Sequence, residues 1–188
     1  ELGQPHLDFG LAESVIKDAR LDYVIASLHE VIGKEDFYYL DYNKESVDEL
    51  MERYFKELFK ICEWGKFDVL GHITYPLRYI EGECGIKIDF DKYEEQLREC
   101  LKSLAQHGCG LEINTSGLRQ KYGKIFPSID ILKMYREYGG EMVTIGSDAH
   151  CADDVGSGVE EGVKMAAEAG FPYLCYFNER EPIYIKII

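Results

Sequence analysis

The sequence predicts an α/β fold, a β/α barrel that is small and open or incomplete. Three observations lead to this fold class: amphipathic helices alternate with short apolar runs, glycines separate the two, and no Gly-x-Gly-x-x-Gly motif follows the first strand. Alternating strands and helices indicate a parallel sheet with helical crossovers. The missing glycine motif argues against a dinucleotide-binding sheet, which leaves the barrel.

The length of the chain limits how much of a barrel it can form. Its 188 residues, 46% of them hydrophobic, predict one folded domain over residues 1–188. A complete barrel usually needs about 250 residues, and only about five or six strands can be counted here. We therefore expect a small open barrel or one that lacks its first strand or two. The start at Glu1, without a methionine, favours the second.

Helical periodicity and glycine stops define the first elements. The first unit ends in an apolar strand over residues 21–27. The clearest helix spans residues 46–64, where apolar side chains recur at positions i, i+3, i+4 and i+7. Ser46 is a typical N-cap for it and Gly65 a typical C-terminal stop. A strand over residues 67–71 follows.

Three further units repeat the same rhythm. Each helix ends at a glycine, and an apolar run of strand length follows that glycine. The predicted helices and their strands are 91–107 with 109–114, 127–139 with 142–145, and 156–169 with 173–177. A last apolar run, 183–188, predicts an edge or closing strand.

Potential metal ligands follow several of these strands. His29 and His72 come directly after two of them, and Asp148 and His150 come after a third. Because the carboxyl ends of barrel strands meet at one rim, we expect these side chains to converge there. Carboxylate and imidazole groups suit several divalent ions. Taken singly, each histidine would be read as a core or loop residue, and Asp148 as a turn or cap residue.

Other charged residues have less specific readings. Arg78 and Arg119 follow strand ends, where a guanidinium can hold a phosphate bidentately, although both could also be solvated surface charges. His107 lies in the last turn of a helix, where its charge suits the helix dipole, so we interpret it as structural. His6 lies in a segment without a clear pattern, and a non-functional role is favoured for it.

Composition limits the classes of partner and the location. The chain has 35 acidic and 21 basic residues, a net charge of −14, which argues against binding to nucleic acid or to anionic membranes. Six cysteines without a Cys-x-x-Cys pair fit a reducing compartment. No apolar stretch is long enough to span a membrane, and no signal pattern opens the chain, so we expect a cytoplasmic protein.

Four stretches carry a resemblance to a known family. They are Ser-Leu-His-x-x-x-Gly at 27–33, Gly-His at 71–72 with Arg78, Glu-Ile-Asn-Thr-Ser-Gly-Leu-Arg at 112–119, and Gly-Ser-Asp-Ala-His at 146–150. At these stretches the sequence resembles the polymerase and histidinol phosphatase (PHP) superfamily, most closely its histidinol-phosphatase branch. The resemblance implies a distorted TIM-like (β/α)7 barrel of the PHP type. It also implies a cluster of up to three divalent metals, commonly zinc, manganese or iron.

The resemblance also implies roles for individual residues. The implied metal ligands are Glu1, His29, His72, Asp148 and His150, with Glu1 as the bridging glutamate that ends the strand before the Ser-x-His unit. Arg119 is implied to bind the substrate phosphate. Its position after a strand end makes Arg78 a second candidate for that phosphate, and in a phosphatase mechanism we expect Asp148 and Arg119 to act in catalysis. The family opens with a strand bearing His-x-His and a further histidine soon after it. This sequence has neither, so we expect fewer metals and impaired activity.

The implied activity is that of a phosphatase in histidine biosynthesis, which converts histidinol phosphate and water to histidinol and phosphate. The expected partner is therefore a small phosphorylated substrate, not nucleic acid or a membrane. Two alternatives stay open: another phosphoesterase or nuclease of the superfamily, or a metal-binding remnant without catalysis. An incomplete barrel exposes a parallel edge, so we also expect self-association of the chain through that edge.

Overall fold

A parallel sheet forms the centre of the computed structural model, which describes residues 1–187. Its strands are β1 (Leu2–Gly3), β2 (Ile25–Ser27), β3 (Val69–Leu70), β4 (Gly110–Asn114) and β5 (Val143–Gly146). The five strands lie side by side in chain order, and every neighbouring pair is parallel. This arrangement confirms the predicted α/β fold, and the sheet does not close into a full barrel within the described residues.

Helices connect the strands of this sheet. They are α1 (Phe9–Ile16), α2 (Val47–Trp64), α3 (Glu94–His107), α4 (Ile129–Glu137) and α5 (Val159–Glu168). Each of the first four is the crossover between two consecutive strands, and α5 follows β5. A π-helix at Arg78–Glu83 lies between β3 and α3. Within residues 1–187, none of the helices has both the length and the apolar character needed to cross a bilayer.

Helix α2 shows how closely local sequence signals set an element's bounds. The Ser46 hydroxyl accepts a hydrogen bond from the Glu49 amide, which caps the first turn. At the other end Gly65 adopts a φ of 59°, the left-handed conformation that stops helices. A Cβ at Gly65 would lie 2.6 Å from the His107 ring, so glycine is required there for space as well. The helix predicted at 46–64 is confirmed.

The core lies between the helices and the outer face of the sheet. Its side chains are almost fully shielded from solvent, and α2 and α3 pack against each other along it. Phe55 and Leu58 of α2, Leu101 and Leu104 of α3, and Leu111 of β4 are each 1% exposed or less. Because such side chains each contribute about 1.5–3 kcal/mol on burial, this packing fixes the strands and therefore the positions of their carboxyl ends.

The last two strands depart from the predicted alternation. A strand does form at the predicted position, as β6 (Tyr173–Asn178), but it pairs antiparallel with β7 (Glu181–Lys186) in a separate two-stranded sheet. The hairpin turn is anchored beside the start of β3, because Arg180 Nε lies 2.6 Å from Asp68 Oδ2. Of the apolar run predicted at 183–188, the structure places 183–186 in β7, and Ile188 lies outside the described residues.

Candidate metal centre

Three predicted ligands meet at one end of the sheet. Glu1 Oε1 lies 3.0 Å from His29 Nε2 and 3.2 Å from His72 Nε2, and the two Nε2 atoms are 3.4 Å apart. They meet because β1, β2 and β3 are adjacent, and the histidines follow β2 and β3. The resemblance implies that Glu1 ends its strand, but in the structure Glu1 directly precedes β1. Leu2 and Gly3 pair with Ala26 and Ser27, which leaves Glu1 before the paired residues.

The spacing of these three atoms fits a metal ion. A tetrahedral zinc site with bonds of about 2.0–2.1 Å has ligand atoms about 3.3–3.4 Å apart, close to the separations of 3.0, 3.2 and 3.4 Å seen here. His72 Nδ1 is buried and has no hydrogen-bond partner within residues 1–187, so this nitrogen can carry the proton while Nε2 binds a cation. Three protein ligands leave a fourth position for water or substrate, as in catalytic zinc sites.

The electrostatics of the cluster also favour a cation. Hydrogen bonds from His29 and then His72 hold the pKa of Glu1 well below its usual range, although partial burial works in the opposite direction. Burial alone would lower the pKa of His72. The hydrogen bond with Glu1 and the negative charges of Glu112, Glu1 and Asp148 outweigh it and raise that pKa. The cluster is therefore a place where positive charge is stabilised.

A buried carboxylate on β4 supports the loop that carries His72. Glu112 is 5% exposed, and its Oε2 accepts hydrogen bonds from the His72 amide at 2.9 Å and from Asn114 Nδ2 at 3.1 Å. Sequence reasoning used Glu112 only as part of a motif and gave it no role. The available signal was a charged residue between two apolar residues, Leu111 and Ile113, in a predicted strand; the structure buries all five residues of β4.

Asp148 and His150 lie outside this cluster. Asp148 Oδ2 is 2.8 Å from Arg78 Nη2, and Asp148 Oδ1 is 3.2 Å from His150 Nε2. The His150 side chain is 86% exposed. Burial would raise the pKa of Asp148, but the hydrogen bond and charge of Arg78 outweigh burial and lower it. The sequence predicts that all five side chains converge at one rim. The structure instead groups Glu1, His29 and His72 in one cluster and pairs Asp148 with His150 outside it.

Both predicted phosphate-binding arginines are half-buried and keep a donor without an acceptor. Arg78 Nη2 also donates to Ser116 Oγ at 2.8 Å, and Arg119 Nη2 donates to the Ser147 carbonyl at 2.9 Å. Arg119 Nε lies 3.2 Å from Asp154. Arg78 Nε and Arg119 Nη1 are buried and have no partner within residues 1–187. Each guanidinium therefore keeps hydrogen-bonding capacity that the described residues do not use, although these two atoms are shielded from solvent.

The two remaining histidines have structural environments. His107 Nδ1 lies 2.9 Å from a carbonyl oxygen of its own helix, in keeping with the structural interpretation. His6 is fully buried at its side chain and lies 3.1 Å from Glu57 Oε2 of α2. Glu57 also accepts a hydrogen bond from the Ile32 amide at 2.9 Å, three residues after His29. The pair of His6 and Glu57 thus braces the loop that carries His29.

Comparison with known proteins gives a consistent set of relatives. The model of the PHP domain family matches residues 5–116. A curated protein called probable histidinol-phosphatase from Thermotoga maritima is 35% identical over 165 residues, which are 88% of this chain and 63% of that protein. Its counterpart in Clostridium acetobutylicum is 32% identical over 82% of this chain and 60% of its own length. The chain thus spans about three-fifths of these relatives.

A solved structure shares the fold. The crystal structure of histidinol phosphate phosphatase from Lactococcus lactis, complexed with zinc, L-histidinol and phosphate, superposes with a TM-score of 0.76 at 24% sequence identity. The match covers 95% of this chain and 67% of that chain. At this level of identity the likeness establishes a common architecture, with helices around a parallel sheet.

Proposed function

This chain belongs to the PHP domain family, and we propose that the protein is a metal-dependent phosphomonoesterase that hydrolyses L-histidinol phosphate to histidinol and phosphate. One observation carries the proposal: two imidazoles and a carboxylate meet at 3.0–3.4 Å on a rim that also holds Arg78 and Arg119. Names and bound molecules of the relatives support the choice of substrate, because the Lactococcus lactis enzyme was crystallised with zinc, L-histidinol and phosphate.

In this proposal Glu1, His29 and His72 hold a divalent ion, with zinc as the first candidate. Such an ion lowers the pKa of a bound water enough to supply hydroxide near neutral pH. The donor set of nitrogen and oxygen atoms also suits manganese and iron. Asp148 and His150 offer a further carboxylate and imidazole, and they stay predicted ligands.

The arginines would bind the phosphoryl group of the substrate. Both guanidinium groups are partly exposed at this rim, and each keeps a donor that no described residue uses, so we expect them to contact phosphoryl oxygens. Positive groups held at this place stabilise the charge that develops as the phosphoester bond breaks. They also overcome locally the repulsion that a net charge of −14 exerts on an anionic substrate.

Asp148 is suited to orient an attacking water. Its lowered pKa keeps it ionised at neutral pH, so it can accept a hydrogen bond from that water and holds no proton to donate. Its second oxygen contacts His150, which is largely exposed and can exchange protons with solvent. Arg78 fixes the carboxylate through the other oxygen, which keeps Asp148 in one orientation.

The test is phosphate release from L-histidinol phosphate by the purified protein loaded with zinc, manganese or iron. We expect turnover that a chelator abolishes and that His72→Ala removes. His107→Gln is the matched control, because it changes a histidine in the last turn of α3, outside the cluster of Glu1, His29 and His72, and it should retain turnover. Parallel assays on other small phosphate esters and on an oligonucleotide separate a phosphatase from a nuclease. A protein that binds metal but releases no phosphate with any of the three ions would contradict the proposal.

A further inference from the structure

Glu112 is the buried carboxylate nearest to the metal centre that has no assigned task. It lies on β4 with 5% of its surface exposed. No lysine, arginine or histidine pairs with it within residues 1–187, although buried carboxylates normally pair with a cation. Burying a carboxylate costs stability unless hydrogen bonds compensate for the lost contact with water.

The hydrogen bonds of Glu112 are directed at the backbone of a ligand residue. The Gly71 amide, directly after β3, donates to the Ala26 carbonyl of β2 at 2.8 Å. The next amide, that of His72, points to the other side, toward β4, and donates to the side-chain oxygen Glu112 Oε2 at 2.9 Å. The Glu112 carboxylate therefore serves as the hydrogen-bond acceptor for the backbone of His72, the residue that bears the ligand nitrogen.

The carboxylate of Glu112 occupies space that is left free because two neighbouring residues are glycines. A Cβ at Gly146 of β5 would lie 2.1 Å from Glu112 Oε1, and a Cβ at Gly71 would lie 3.5 Å from Oε2. Asn114 Nδ2 donates to the same Oε2 at 3.1 Å and limits movement along the strand. The side chain thus has one position, set by three neighbouring strands.

We propose that Glu112 is a positioning residue of the metal centre: its carboxylate oxygen fixes the His72 backbone so that the imidazole Nε2 stays beside Glu1 and His29. The inference rests on the proposed function, because it concerns the same metal centre. If the acceptor is lost, the buried His72 amide must find another partner, and the backbone has to shift to reach one. Groups that orient a metal ligand typically account for about 10- to 100-fold in metal affinity.

Two substitutions separate position from charge. Glu112→Gln removes the charge but keeps an oxygen at the place of Oε2, so the His72 amide keeps its acceptor. Glu112→Asp keeps the charge but withdraws it by one methylene, out of reach of that amide. We expect Glu112→Gln to bind zinc within about threefold of the native protein and Glu112→Asp to bind about 10- to 100-fold more weakly.

The readouts do not depend on turnover. Zinc affinity is measured by competition with a chromogenic chelator, and exchange of the His72 amide hydrogen is measured by NMR on the metal-free protein. That amide should stay protected in Glu112→Gln and exchange faster in Glu112→Asp. Thr144→Val is the matched control, because Thr144 is the register partner of Glu112 on β5, is 6% exposed, and its hydroxyl pairs with Tyr23 at 3.3 Å. It should leave both readouts unchanged.

Any other pattern overturns the assignment. Loss of zinc affinity in Glu112→Gln, or native affinity in Glu112→Asp, would show that the hydrogen bond does not position the ligand. A glutamine variant that fails to fold would show that Glu112 acts through its charge on the stability of the sheet, and not through its hydrogen bond to His72. If the native protein binds zinc but hydrolyses nothing, the proposed function fails, while the contrast between the two variants still decides the role of Glu112.

Discussion

Replacing Gly146 by alanine tests how tightly the interior of the sheet is packed around Glu112. Gly146 ends β5 and does not have a positive φ, so the backbone itself accepts alanine. The obstacle is steric, because the added Cβ would lie 2.1 Å from Glu112 Oε1. An ordinary carbon–oxygen contact is about 3.3 Å or longer, so the carboxylate has to retreat by about 1 Å.

The magnitude follows from that displacement. Overpacking a well-packed site costs about 1–3 kcal/mol, and a retreat of this size breaks the 2.9 Å hydrogen bond to the His72 amide. Leaving a buried donor unpaired costs a further ~1–3 kcal/mol. The two lower bounds together give a loss of about 2 kcal/mol in the free energy of unfolding. For a domain of this size that corresponds to a fall of about 4–8 °C in Tm.

Thermal unfolding followed by circular dichroism measures the effect on the metal-free protein. Gly10→Ala is the matched control, because Gly10 lies in α1 and its Cβ would meet only the Asp8 side chain, at 3.3 Å. Alanine in a helix should stabilise it slightly. The loss caused by Gly146→Ala should shrink when Glu112 is also changed to alanine. An unchanged Tm, or the same loss in the double variant, would refute the steric argument.

Three further perturbations have defined outcomes. Zinc at 100 times its Kd should stabilise the native protein by about 2.7 kcal/mol, or about 5–11 °C in Tm, and it should stabilise the control His107→Gln equally. The same shift in His72→Ala would show that zinc binds at a site other than the proposed one. Arg78→Met should raise the pKa of Asp148, which now lies below its ordinary 3.8 because of that arginine. A carboxyl whose pKa is depressed adds stability above its unfolded pKa and loses it on acidification. The variant's deficit in urea unfolding should therefore be largest above about pH 4 and shrink below it, and a deficit independent of pH would oppose this. His6→Phe should cost about 1–3 kcal/mol in the same assay, because the buried glutamate paired with it loses a partner; native stability would show that the pair is dispensable.

The parallel part of the fold could be predicted from local signals. The bounds of α2 agree within one residue, because a serine cap and a glycine in the left-handed conformation mark both ends. The partner of β6 could not be predicted in the same way. Its apolar run is like those of the parallel strands, and the hairpin turn has none of the usual glycine or asparagine signals. Glu179 and Arg180 form that turn with φ values of 50° and 67°, held by contacts distant in sequence.

The candidate site was predictable in its members but not in its grouping. The equal placement of His29 and His72 after adjacent strands brings them together, as expected. Asp148 also follows a strand at this rim, but its carboxylate contacts Arg78, which follows a different strand. Which of two nearby partners a side chain selects depends on distances of a few ångströms and on burial, and neither is encoded in spacing along the chain. Glu112 was overlooked for a related reason: its partner is a backbone amide.

Neighbours along the chain are neighbours around this rim, because the strands follow one another in order. The segments after β2, β3, β4 and β5 therefore each bring their own functional side chains to the rim, and none has to cross another. Substitution or lengthening of one segment changes the groups it carries and leaves the scaffold and the remaining groups in place. Such a protein can acquire a new specificity in small, separate steps, each compatible with the same folded frame.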